Sequence, residues 1–240
     1  MLASYFLALL VGASAAAAAA APSVKARCNV SKDTLIMPST ATTGSTPLAT
    51  PIADGPKFIG IGVGTQNYTC TSTGIYAYVQ SPIMPLSLFY LTQADVTTRR
   101  NIGAYAEIFD ISCLPEITFT AVTDLVWATW QHAPKSITAA DVVNDFALFK
   151  PAFVLGQHYF IPNPITGTGL SPKWDFTSTS EAGHANAFVV GAKSGDVPAA
   201  TNPKVNVDLL SLNAVQGDLA QQVFRVETRG GQPPASVCIL

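Results

Sequence analysis

A chain of 240 residues that is 48% hydrophobic and only 12% charged can bury a substantial core, which excludes disorder as its ground state. Thirteen Lys and Arg against fifteen Asp and Glu give a formal charge of -2, and Arg99–Arg100 is the only adjacent basic pair, so no electrostatic footprint for nucleic acid is present. Mean hydropathy is high at +0.31, yet after Val24 no uncharged apolar run reaches the roughly 20 residues that span a bilayer.

Met1 to Val24 contains no charge, opens on Leu2, Tyr5, Phe6, Leu7, Leu9 and Leu10, and fades into the alanines at 15–21. That is the profile of a secretory apolar segment followed by small residues suited to signal peptidase. Residues 1–21 are therefore expected to be a signal peptide cut near Ala21, giving a secreted, extracellular protein that makes no membrane contact after cleavage. The absence of Lys or Arg before the apolar run leaves a retained N-terminal anchor as the competing reading. Residues 22–56 are expected to form an extended arm, because Pro38 to Pro56 is rich in Pro, Ser, Thr, Gly and Ala and has no apolar period.

A single β-rich domain is expected over 57–240. Ile59, Ile61 and Val63 alternate with Gly60, Gly62 and Gly64, Tyr68 leads to Cys70, and Ile75 to Val79 alternates again after a TSTG loop, which is a hairpin signal. Glycine at every second position predicts a bulge or a chain segment packed against the backbone. A helical insertion is expected at about 94–150. It holds one helix over Thr123 to Trp130 and a second that begins at the cap Thr138, with Asp141 three residues on, continues through Val142, Val143, Phe146 and Phe149, and ends at Pro151. Strand patterns then return at Val154–Ile161, Lys173–Thr177, Ala185–Ala192, Val205–Leu212 and Gln222–Thr228. Strands at this spacing without helices between them predict a mainly β fold, an antiparallel β-sandwich or barrel.

Four cysteines, Cys28, Cys70, Cys113 and Cys238, form no CxxC unit and read as two disulfides in a secreted chain, with three pairings open. Asn29-Val-Ser31 and Asn67-Tyr-Thr69 are N-glycosylation sequons, which fit an extracellular glycoprotein.

Several chemistries are excluded or left without a motif. Gly60-Ile-Gly62-Val-Gly64 is not the dinucleotide fingerprint, because the spacing is wrong and a strand rather than a helix follows. No GxSxG lies in the mature chain, which removes the nucleophile-elbow hydrolases. His132, His158 and His184 are far apart in sequence, and Glu181 with His184 lies in a turn-rich stretch, so no metal site and no cofactor is expected. Carboxylates for glycoside hydrolysis could come from Glu107, Asp110, Asp175, Glu181, Asp208 or Glu227, but only their separation in space selects a pair.

Taken in order, GVGTQNYTC at 62–70, GQHYF at 156–160, SPKWDF at 171–176 and RVETRGGQPPASVC at 225–238 resemble the secreted fungal and bacterial family called domain of unknown function 3455. The resemblance covers residues 57–81 and 153–238, and the helical middle is similar to that of the longer fungal members. The family name supplies no reaction, and the malate dehydrogenase label that some fungal members carry finds no support in the residues above. Positions matching the family pattern are Gln66, Tyr68, His158, Tyr159, Trp174, Arg225 and Gly230-Gly231, and they are the candidate ligand-binding residues. His158, beside aromatics, is the first functional candidate, although packing accounts for most of the others. The resemblance implies that Cys70 pairs with Cys238, leaving Cys28 with Cys113. The expected function is that of a cell-wall or envelope binding or structural protein, with wall polysaccharide or another extracellular ligand as partner. The alternative is a secreted hydrolase acting on an extracellular polymer.

Overall fold

The structure, a computed structural model, describes residues 28–32, 37, 47–52, 55–66, 68–70, 76–78, 104–146 and 151–233. The signal segment, the sequon residue Asn67, Phe149 and Cys238 lie outside them. In chain order the elements are β1 (Gly60–Thr65), β2 (Tyr68–Cys70), β3 (Tyr76–Tyr78), β4 (Tyr105–Asp110), α1 (Phe119–Trp130), α2 (Ala139–Asn144), β5 (Val154–Pro162), β6 (Leu170–Asp175), β7 (Phe188–Val197), β8 (Leu209–Gln216) and β9 (Gln222–Arg225). Seven of the strands form one antiparallel sheet in the order β1-β4-β5-β6-β7-β8-β9, and β2 pairs with β3 as a separate hairpin. The mainly β architecture read from the sequence is thus present, as one sheet curled into a half-barrel.

Several boundaries differ from expectation: α1 starts at Phe119 rather than Thr123, α2 ends at Asn144, the strand expected at Val205–Leu212 lies at Leu209–Gln216, the one expected at Gln222–Thr228 ends at Arg225, and two further differences shape the sheet. Residues 105–110, inside the stretch read as a helical insertion, are β4, which sits between β1 and β5. Its period is masked because both faces carry apolar side chains: Phe109 is fully buried on one, while Ile108 packs into a cluster on the other. β7 runs on to Val197 through a polar stretch that reads as a turn, with register shifts near Val190–Gly191 and Lys193–Gly195. Gly195 accommodates the arm, since a Cβ there would lie 2.7 Å from the carbonyl of Pro47. The expected glycine face of β1 packs on β4, where Cβ atoms at Gly60 and Gly64 would meet Ile108 at 2.6 Å and the carbonyl of Tyr105 at 1.9 Å.

Apolar side chains fill both faces of the sheet. Ile61, Val63 and Phe109 pack against Val122 and Val126 of α1 and Val142 and Val143 of α2. α2 is short, and Thr138 starts it with a reciprocal cap: Asp141 donates its backbone N–H to the Thr138 hydroxyl at 3.1 Å, and the Asp141 carboxylate accepts the Thr138 N–H at 2.9 Å. The opposite face buries Leu155, Phe176, Val189 and Leu219. Part of the arm covers the far strands, where Leu48 is buried with Val197 and Leu209 and the Ala49 N–H donates to the Ser211 hydroxyl at 3.0 Å. Cys28 and Cys113 are disulfide-bonded across 85 residues, tying the arm beside the start of the helical stretch. In the chain-entropy model a loop of that length contributes about 4 to 5 kcal/mol. Cys70 is disulfide-bonded as well.

α1 bridges the open side of the curl. Toward β1, the indole N–H of Trp130 donates to the carbonyl of Gly64 at 2.8 Å. Toward the segment after β9, Asp124 pairs with Arg229, and Trp127 covers Gly230 so closely that a Cβ there would lie 2.3 Å from the ring. Gly230 also has φ +69, a conformation that costs an L side chain on the order of 1 to 2 kcal/mol. Gly230→Ala should therefore lower stability by roughly 2 to 4 kcal/mol, the backbone cost plus the overpacking against Trp127. Denaturant melts of Gly230→Ala, Trp127→Phe and the double variant check this. The double variant should lose less than the two singles combined, and strict additivity would mean that the ring contact contributes nothing.

Candidate functional site

Successive strand residues point to opposite faces, and β5 therefore divides the sequence-selected residues between two surfaces. His158 and Phe160 share one face, Gln157 and Tyr159 the other. Register places His158 between Ala106 of β4 and Trp174 of β6. The small neighbour leaves the imidazole free to lean on the large one: His158 stacks on Trp174 with centroids 4.5 Å apart and planes 22° from parallel, and meets Phe160 edge-on at 5.5 Å. Nδ1 lies 3.0 Å from the carbonyl oxygen of Lys173, which can only accept, so Nδ1 carries the proton and Nε2 of the neutral ring is the acceptor. Burial drives the His158 pKa down to about 4, the bond to the Lys173 carbonyl opposes that shift, and the charge of Arg225 adds to it. The ring is neutral at pH 7.

Arg225 lies on β9, four strands from His158 in sheet order, yet its charge acts on the imidazole. Gly191 packs on both Trp174 and Leu212, and Arg225 pairs with Leu210, two residues along the strand from Leu212, so Arg225 and His158 share one face of the sheet, which we take as its inner face. The Arg225 guanidinium donates through Nε and Nη2 to the carbonyl of Asp208 at 3.1 and 2.8 Å. The same charge reaches Tyr68, whose pKa burial raises and Arg225 partly lowers. The Tyr68 hydroxyl donates to the carbonyl of Gly231 at 2.6 Å and lies 3.2 Å from Oε1 of Gln66. The concave side and its seam therefore gather His158, Trp174, Arg225, Tyr68, Gln66 and Gly231.

Tyr159 is not among them. On the opposite face its hydroxyl donates to Asp175 at 2.7 Å, and Asp175 also accepts from the Thr177 hydroxyl at 2.6 Å and pairs with Lys173 at 2.8 Å. Lys173 in turn lies over the rings of Phe188 at 4.2 Å and Tyr159 at 5.6 Å. Burial pushes the Asp175 carboxyl up, but the bonds from Lys173, Thr177 and Tyr159 outweigh it and hold the pKa at about 2. Burial and the bond to Asp175 raise the Tyr159 phenol. Every polar atom here is committed to another side chain of the network, an arrangement that holds strands together.

Of the remaining acids, Asp208 contacts Asp196; burial first, then the Asp196 charge, raises its pKa. Two carboxylates in direct contact are closer than either glycosidase geometry requires, and Lys193 already neutralises Asp196 at 2.7 Å. Asp110 caps its own turn by accepting the Ser112 N–H at 2.9 Å. His132 and His184 are exposed. Among the described residues no group of three His, Cys, Asp or Glu is placed to hold a metal. Asn206 and Asp196 escaped the sequence reading. Asn206 is 5% exposed and anchors the Gly230 turn, but an asparagine among turn residues carries no local mark of burial.

Residues 51–239 match a family model described as Protein of unknown function (DUF3455). No curated protein and no solved structure matches the chain.

The His158 environment has a measurable consequence. An imidazole whose folded pKa is about 4 against an unfolded value of 6.5 supports the fold fully above pH 6.5 and loses that support as pH falls toward 4. The loss is on the order of 3 kcal/mol. Melting temperature followed from pH 7 to pH 4 should drop steeply, and His158→Phe should flatten the curve in that window. Asp208, whose raised pKa acts in the opposite sense, cancels in the comparison, and Asp175 acts only at lower pH. An unchanged slope in His158→Phe would place the titrating group elsewhere.

Proposed function

The chain belongs to the DUF3455 family, and we propose that it is a secreted extracellular protein that binds or structures cell-wall polysaccharide without hydrolysing it. The observation that carries this reading is the state of His158: neutral, stacked on Trp174, bonded through Nδ1 to a backbone carbonyl, and without a hydrogen-bonded carboxylate among the described residues. A hydrolytic histidine needs an orienting acid or a nucleophile within hydrogen-bond reach. Here the inner face spends its aromatic and polar groups on packing, and the outer face spends Asp175, Lys173 and Tyr159 on one another. A rigid β scaffold with inert faces suits binding through its rims and loops.

Other features support an extracellular setting. The Cys28–Cys113 disulfide suits an oxidising compartment, and no helix among the described residues is long and apolar enough to cross a membrane. Asn29 is exposed, and its Oδ1 accepts both the N–H of Ser31 at 3.0 Å and the Ser31 hydroxyl at 2.7 Å. An exposed sequon of this kind is where an N-glycan can be carried.

Purified full-length secreted protein, incubated with insoluble chitin, β-glucan, mannan and cellulose, should sediment with at least one of them and release no reducing ends. Release of reducing ends that scales with enzyme and disappears in His158→Ala would establish the hydrolase instead. In a glycosylating host, Asn29→Gln should remove one glycan's mass from the intact protein. Identical masses for parent and variant would remove Asn29 from the acceptor sites.

A further inference from the structure

Where α1 meets the segment after β9, the surface opens into a cavity of about 150 Å³. Its buried walls are Ala199, Leu209 and Thr228, and the exposed Thr120 and Thr201 stand at its rim. Glu227 and Arg229 complete it. The backbone around it is unusual. Among the described residues the non-glycine positions with positive φ are Glu227 at +51° and Asn202 at +43°; one lines the cavity, and the other follows its rim residue Thr201. Asparagine tolerates that conformation, whereas glutamate does so only when its surroundings impose it, and such strain gathers at ligand sites.

The polar groups narrow the ligand. The Arg229 side chain is 14% exposed, its Nε is taken by Asp124 of α1, and Nη1 donates to the Thr228 carbonyl at 2.9 Å. Nη2 stands 3.6 Å from Oε2 of Glu227, an ion pair too long for a hydrogen bond, so a guanidinium edge and a carboxylate line the same space with hydrogen-bonding capacity between them. The lining carries one cation, Arg229, and one anion, Glu227, so it has no net charge with which to favour an ionic ligand. A neutral polyol matches it, because adjacent hydroxyls can donate to the carboxylate and accept from the guanidinium. Ala199 and Leu209 offer an apolar wall to the C–H face of a ring. The volume equals that of about five water molecules, enough for one sugar ring and too little for an oligosaccharide.

We propose that this cavity binds a single neutral sugar unit, the exposed terminus of a polysaccharide chain, through Glu227, Arg229 and the threonine rim. The inference rests on the reading of the protein as a wall-polysaccharide binder and adds where, and by which end, the polymer is held.

The test uses the full-length secreted protein and its Ala200→Phe and Glu227→Gln variants; Ala200 lines the cavity and is exposed, so a larger side chain fills the space without entering the core. Calorimetry or saturation-transfer NMR with methyl glucoside, methyl mannoside, methyl galactoside and N-acetylglucosamine should detect one sugar binding the parent at millimolar strength. Each variant should weaken it at least tenfold, and the free sugar should compete with wall sedimentation. Glu227→Gln decides the matter should Ala200→Phe fail to fold. Sedimentation that persists undiminished in both variants would overturn the cavity while leaving the wall-binding reading in place. A sugar that binds the parent and not the variants, with no sedimentation on any polymer, would do the reverse. If none of the four sugars binds the parent, the proposal is wrong.

Discussion

A seven-stranded sheet curled into a half-barrel has a seam, and its closure depends on one turn, Gly230–Gly231, being held from three directions. From below, the buried Asn206 accepts the Gly230 N–H at 2.7 Å while its amide donates to the Thr201 carbonyl at 2.7 Å, and Val207 donates its N–H to the Gly230 carbonyl at 3.0 Å. From the hairpin side, the Tyr68 hydroxyl takes the Gly231 carbonyl. From outside, Trp127 lies flush on the Gly230 Cα. The Trp127 contact needs a bare backbone at Gly230, and both residues have positive φ, so two glycines let one turn join α1, the β2–β3 hairpin and the last strand. An unpaired buried donor or acceptor costs about 1 to 3 kcal/mol, which makes the turn cooperative: losing Asn206 would strand the groups at both of its ends.

The same closure explains the division of labour between the two faces. Curling brings Arg225 into electrostatic range of His158 and Tyr68, and a cation in that setting favours a neutral imidazole and an aromatic partner that needs no charge. The stack with Trp174 supplies that partner. On the other face Asp175 with its ring of donors links β5 and β6, where Tyr159 and Lys173 lie opposite each other. Partly exposed charge pairs of this kind contribute modestly to stability and mainly fix which residues lie side by side.

Much of this architecture could be read from the chain. The alternation in β1, β5 and β6, the capped start of α2 and the helix that ends at Trp130 are local signals, and each survives in the folded protein. β4 was hidden because period two vanishes when both faces are buried, and the length of β7 was hidden because Gly195 and its polar neighbours resemble a turn until the arm is seen lying on them. Within the set His158, Trp174, Arg225, Tyr68 and Gln66, the structure brings His158 onto Trp174 and Tyr68 onto Gln66. That Tyr159 faces away follows from its odd position beside His158, which alternation alone could have told. No sequence rule, by contrast, signals the strain at Glu227, since a backbone angle is set by what surrounds it.

Glu227, Arg229, Gly230 and Gly231 occupy one short run, and their demands differ in kind. The two glycines, like His158 and Trp174, are fully accounted for by packing and seam closure, so their presence in a recurring pattern requires no active site. Glu227 is different. A glycine or asparagine would adopt its conformation more cheaply, and its ion pair with Arg229 is long at 3.6 Å, so backbone geometry does not account for a carboxylate there and ion pairing accounts for it only weakly. Function is then best sought where a residue's chemistry exceeds what the fold asks of it, which in this protein is the rim built by α1 and the end of the sheet rather than the aromatic interior.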